Sequence, residues 1–166
     1  MPVKYFELHS ESFVYLRDYY GANIGDFTKM KERQGKNDKE DTMRIIITGD
    51  RDFLDYERLE QIMLQIMEKY PNETVEIVAG GDKGAESIGE LFALKHYLKV
   101  ARFPANWRRY GSSAGYIRNS DMIDYARQEK GILIAFWDGK SGGTKNMIQL
   151  AKRWGLEVMV YPTKIQ

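Results

Sequence analysis

Residues 43–166 predict a Rossmann-like α/β fold, a three-layer sandwich built on a five-stranded (or slightly larger) parallel sheet. Three observations carry that expectation. Short apolar runs alternate with stripes of helical period through the whole segment. Four of the five runs stop at glycine or proline. The composition also changes near residue 42, so residues 1–42 read as an N-terminal extension. Strands alternating with helices need right-handed crossovers, which place helices on both faces of a parallel sheet.

The elements follow in order. Residues 44–48 (RIIIT) are a continuous apolar run ended by Gly49, the pattern of a strand buried on both faces. Residues 55–70 carry Leu59, Ile62, Met63, Ile66, Met67 and Tyr70 on one helical stripe, with Asp55 as the expected N-cap and Pro71 after the end. Residues 74–79 (TVEIVA) form a second strand, closed by Gly80 and Gly81. A helix over 83–96 follows, with Ala85, Ile88 and Phe92 on one face. The third strand, 98–103, ends at Pro104, and a helix over 113–128 starts from Ser112 or Ser113. The fourth strand, 131–136 (GILIAF), is the most apolar and so belongs inside the sheet. A helix over 143–154 then buries Met147, Ile148, Ala151 and Trp154, and residues 156–161 complete the series. The expected strand order is 3-2-1-4-5.

The extension divides in two. Residues 5–27 hold seven aromatic rings, more ring surface than a plain tail carries, and suit packing on the domain, on a neighbouring subunit, or use as a lid or partner-binding arm. Residues 29–41 (KMKERQGKNDKED) contain one apolar side chain, Met30, and read as a charged linker.

Composition narrows the function classes. The chain has 25 Lys+Arg against 24 Asp+Glu, and a net charge of +1 argues against nucleic acid as a partner. With no cysteine there are no disulfides, thiolate metal sites or cysteine nucleophile, which fits a cytoplasmic protein. No apolar run approaches the roughly 20 residues of a membrane span. The only histidines are His9 and His96, without metal-ligand spacing, so no metal and no cofactor are expected. There is no GxGxxG after the first strand, no GxxxxGK[ST] and no GxSxG.

Ligands of open α/β sheets sit beyond the carboxyl ends of the strands, where strand order reverses. Read there, three loops stand out. After strand 1 come Gly49, Asp50, Arg51 and Asp52. Arg51 can fork onto a phosphate or carboxylate, or pair with the flanking aspartates. After strand 2, Gly80, Gly81, Lys83 and Gly84 open a helix whose free amides suit an anion, while Glu86 either complements the dipole or binds a ribose hydroxyl. After strand 4, Trp137 is a candidate stacking ring, Lys140 a candidate cation, and Gly142, Gly143 and Thr144 the strongest phosphate cradle. The loop after strand 3 adds Trp107, Arg108, Arg109 and Tyr110, with Arg118 and Asn119 on the next helix.

The blocks TGDRD (48–52), GGDKGAE (80–86), FPANWRRYGSSAGYIRN (103–119) and GGT (142–144) resemble the SLOG superfamily, in particular its YspA/YpsA-like branch of bacteria and phages. The resemblance covers residues 43–166. It implies a Rossmann-like fold that binds nucleotides or their derivatives; some relatives bind signalling nucleotides in antiviral defence, the LOG branch cleaves nucleoside monophosphates, and distant ones bind single-stranded DNA. LOG hydrolases carry a catalytic glutamate in GGxGTxxE, and here the position three after Thr144 is Met147. Asp50, Asp52 or Glu86 are then the candidate catalytic carboxylates, and holding a ligand is the first expectation. The leading expectation is therefore a binder of a nucleotide-derived small molecule, a sensor or sequestering protein and a homo-oligomer. A nucleotide N-glycosidase is the alternative and nucleic-acid binding the second alternative.

Overall fold

The computed structural model describes residues 41–164, and the expected N-terminal arm and linker lie outside the described residues. Strands β1 (Thr42–Gly49), β2 (Thr74–Ala79), β3 (Lys99–Arg102), β4 (Lys130–Phe136) and β5 (Glu157–Tyr161) form one parallel sheet in the order β3-β2-β1-β4-β5. This is the order expected from the sequence, with the reversal between β1 and β4.

Helices α1 (Tyr56–Lys69) and α2 (Ala85–Lys95) cover one face, and α4 (Ala114–Ala126) and α5 (Gly142–Arg153) the other. Strand alternation sorts the two cores. Ile45, Ile47, Ile77, Ile132 and Ile134 point to α1 and α2, where Leu59, Met63, Ile88 and Phe92 meet them. Ile46, Val78, Leu133 and Ala135 point to α4 and α5, against Met122, Ile123, Met147 and Ala151. Asp55 caps α1 as expected, its carboxylate accepting from Arg58 N at 3.1 Å.

Two local expectations change. The helix expected over 113–128 is preceded by a helical turn, α3 (Trp107–Tyr110), and a 3-10 turn (Gly111–Ser113), so α4 starts at Ala114 and Ser113 makes no side-chain cap bond. Asn106 is the cap that periodicity overlooked, its side chain accepting from Arg109 N at 3.0 Å. Trp154, expected in the core, is 49% exposed. It follows the last residue of α5, where the stripe has turned away from the sheet, and lies under the Arg127 guanidinium at 4.6 Å. Among the described residues no helix is long and apolar enough to cross a membrane.

Candidate functional site

The loops singled out in the sequence do meet at the carboxyl edge of the sheet, but their glycines do two different jobs. A Cβ on Gly49 would stand 2.3 Å from Phe136 O and 2.9 Å from Ala85 Cβ. Here glycine lets β1, β4 and the start of α2 close on one another, and Asp50 N donates to that same Phe136 oxygen at 2.9 Å. A Cβ on Gly84 would meet Asp50 O at 2.2 Å, and its φ of +82° lies in the region glycine adopts most easily. A Cβ on Gly80 would fall 2.2 Å from Arg118 Nη1. These three are packing glycines. Gly81 and Gly143 are different: nothing lies within 4 Å of an added Cβ, and both are exposed, as is Gly142.

The polar residues of the β2 loop form an internal network. Glu86, 4% exposed, accepts from Gly80 N and Asp82 N, both at 3.0 Å, through Oε2. Arg118, 7% exposed, donates from Nη1 to Gly80 O (2.8 Å), from Nη2 to Asp82 (2.9 Å) and from Nε to Asn119 (3.2 Å). Asn119 in turn donates to Gly143 O at 3.3 Å and to Asn146 at 3.1 Å. One buried arginine–asparagine pair therefore ties the β2 loop to the start of α5. Two amides and a guanidinium that the sequence offers to a phosphate are already engaged with protein atoms. The signal that could have found this is Asp82, two residues after Gly80 and opposite in charge to Arg118.

Burial pushes the Glu86 carboxyl above the ordinary glutamate value, against the pull of Arg118 and the two amides. A carboxyl that keeps its proton longer when folded makes stability fall as pH rises from the ordinary value through the raised one. Glu86→Gln keeps an acceptor for both amides and removes the titration. Urea midpoints measured from about pH 4 to pH 8 should therefore vary less for the variant than for the parent.

At the reversal of strand order the charge is negative. Asp50 is buried, and its Oδ2 accepts from Thr163 Oγ1 at 3.0 Å. Burial raises its pKa, Asp138 and Asp52 raise it further, and the Thr163 bond works the other way. An anion in the β1–β4 crevice would face these carboxylates. Arg51 and Lys83 are exposed, and no ion pair to Arg51 occurs among the described residues. Trp137 is half-buried against the α4–α5 core and donates from Nε1 to Ser141 O at 3.1 Å, so its ring is part of the packing. No group of three or more His, Asp or Glu that could hold a metal occurs among the described residues.

The open part of the edge lies to one side, where α3, α4 and α5 begin. Ser141 caps α5, accepting from Thr144 N at 3.3 Å, and the buried Thr144 hydroxyl donates back to Ser141 Oγ at 3.2 Å. Trp107 and Tyr116 are each 52% exposed. The Trp107 ring would touch a Cβ on Gly115 at 3.4 Å, at the start of α4, and the Tyr116 hydroxyl one on Gly142 at 4.0 Å, at the exposed start of α5. Arg108 and Arg109 are exposed in α3 beside Trp107, and Lys140 and Lys145 are exposed before and within the first turn of α5. Met147 is fully buried in the α4–α5 core and faces no open site.

Residues 43–110 match the family model described as "YAcAr: YspA, cpYpsA-related SLOG family". Residues 43–110 are a SLOG segment. The matched stretch holds the TGDRD and GGDKGAE loops and ends at Tyr110, within the ring-bearing edge. The chain carrying this SLOG segment is also similar to the Gene 61 protein of Mycobacterium phage D29, 27% identical over 126 residues, which is 73% of this chain and 98% of that protein. Among solved structures it resembles DNA processing protein A from Helicobacter pylori, with a TM-score of 0.51 and 17% identity, over 84% of this chain and 70% of that one; that protein is described by its single-stranded DNA binding mode.

This neighbour corrects two expectations. Near-zero net charge was the ground for setting nucleic acid aside as a partner, and a shared fold in a protein described by single-stranded DNA binding removes that ground. The small-molecule sensor or sequestering reading is given up with it. The physical reason lies at the edge itself: Glu86, Asp82 and Arg118 are engaged with one another's loop and the Gly80 backbone, while Arg51 and Lys83 stay exposed, and net charge says nothing of where such outward cations stand.

Proposed function

We propose that the domain binds single-stranded nucleic acid along the edge formed by α3, α4 and the start of α5. The observation that carries this reading is the pair of half-exposed rings, Trp107 and Tyr116, beside Arg108 and Arg109, for which no ion pair occurs among the described residues. Bases stack on such rings without regard to sequence, while cations follow the phosphates. Gly142 and Gly143 leave room for backbone to approach the strand, and Lys140 and Lys145 extend the positive rim. The resemblance in fold to a protein described by its single-stranded DNA binding supports the same reading.

The test is titration of the full chain with fluorescent oligodeoxythymidine, followed by anisotropy. Stacking is worth about 1–3 kcal/mol per base, so Trp107→Ala and Tyr116→Ala should each weaken binding about tenfold or more. Arg108→Ala with Arg109→Ala should lower the salt slope by about 1.4, roughly 0.7 for each phosphate no longer neutralised. Affinity unchanged in all three variants, or no binding by the parent chain, rejects the proposal.

A further inference from the structure

We infer that the acidic, ring-rich arm of this same chain, residues 5–27, docks on the Trp107–Tyr116 edge and competes there with nucleic acid. Three observations support it. The first is the surface: Trp107 and Tyr116 at 52% exposure and Ile117 at 37% form a partly apolar patch, flanked by the exposed Arg108 and Arg109. The second is charge. The arm carries Glu7, Glu11, Asp18 and Asp26 against Arg17, a net charge of −3, together with seven aromatic rings. Carboxylates and rings in one segment answer the two features of the patch, guanidinium groups and ring faces, as phosphates and bases do.

The third is reach. Asp41 accepts from Thr74 N at the amino edge of the sheet, and the patch lies at the carboxyl edge. The eight residues of β1 span about 26 Å between those edges. Residues 28–41, extended at about 3.3–3.6 Å each, cover roughly 46–50 Å, enough to cross the domain and return the arm to its own patch. The linker is rich in charges of both signs and holds one apolar side chain, Met30, a composition that suits a tether. The competitive part of the inference rests on the nucleic-acid reading above; the docking part stands without it.

The experiment exploits the absence of cysteine. Ser12→Cys, carrying a nitroxide in the otherwise intact chain, should quench the Trp107 indole NMR signal and spare that of Trp154 at the opposite edge, with recovery on reduction of the label. Equal effects on both signals, or none on either, overturn docking. Mixing labelled chains with isotope-enriched unlabelled ones separates the sources: quenching only across chains shows the arm of a second copy and also overturns the inference as stated. Oligodeoxythymidine should restore the Trp107 signal in the labelled chain, and Glu7→Gln, Glu11→Gln with Asp18→Asn should tighten oligonucleotide binding by about three- to tenfold, because a larger fraction of the chain is open. Quenching without either DNA effect retains the docked arm and rejects competition. DNA affinity left intact by Trp107→Ala, Tyr116→Ala and the Arg108→Ala, Arg109→Ala pair alike rejects the proposed function while the quenching result still decides docking.

Discussion

Gly84→Ala is expected to lower the stability of the domain by about 3–5 kcal/mol, a melting temperature decrease of roughly 10–20 °C. The residue has φ +82°, where a side chain adds about 1–2 kcal/mol of strain. The new methyl would stand 2.2 Å from Asp50 O and 2.5 Å from two Arg51 backbone atoms. Backbone cannot swing aside as a flexible side chain can, so the β1 exit and the start of α2 must separate. That would cost the bond from Ala85 N to Asp50 O, 3.2 Å long, which joins them. Gly143→Ala is the matched control: nothing lies within 4 Å of its added Cβ, and it sits in the first turn of α5, so stability should hold or rise by up to about 1 kcal/mol. Thermal melts of the two variants check both. Equal melting temperatures would show that the two glycine loops are not divided into packing and open positions.

Arg118→Ala should destabilise by about 2–4 kcal/mol. The guanidinium is 7% exposed and holds Gly80 O, Asp82 and Asn119 at once. Removing it leaves a buried carbonyl without this donor, a half-buried carboxylate without its partner and an empty volume beside Gly80. The 34% exposure of the Asp82 side chain lets water offset part of the loss, which keeps the figure below that of a fully buried pair. Arg118→Lys should recover little, because a single ammonium cannot reach three partners arranged for a planar fork. Denaturant unfolding monitored by Trp137, whose indole bond to Ser141 lies near this network, checks the ranking of parent, Lys and Ala. Should Arg118→Ala instead leave stability intact and abolish oligonucleotide binding, Arg118 would be a contact residue.

Periodicity and glycine placement were enough for the architecture. The apolar run of β1, the stripe from Leu59 to Ile66 and the full set of five strands appear in the structure, in the expected order. This is because burial has a period, and the period can be read along one dimension. Boundaries around α3 were less readable: Asn106, a capping side chain, and the tight turns after it act over three or four residues without a hydrophobic stripe. Trp154 misled for a related reason, since one residue beyond the helix end the 3.6-residue rule no longer applies.

The candidate site was readable in location only. TGDRD, GGDKGAE and GGT do gather at one sheet edge, as strand ends in a parallel sheet must. A glycine letter does not say whether the missing side chain makes room for a ligand or for Phe136 O, Asp50 O or Arg118. Likewise an arginine near a glycine loop does not reveal that Asp82 and Gly80 will receive it. Those outcomes depend on contacts between residues far apart in the chain, 36 and 38 positions for the Arg118 bonds, set only when the layers pack. The sequence by itself determined the sheet, its order and the edge that carries the loops, because these follow from local hydrophobic pattern and chain direction. Tertiary structure decided which polar groups at that edge point inward and which rings and cations remain exposed, because satisfaction of buried charge and hydrogen bonds is a property of the packed whole.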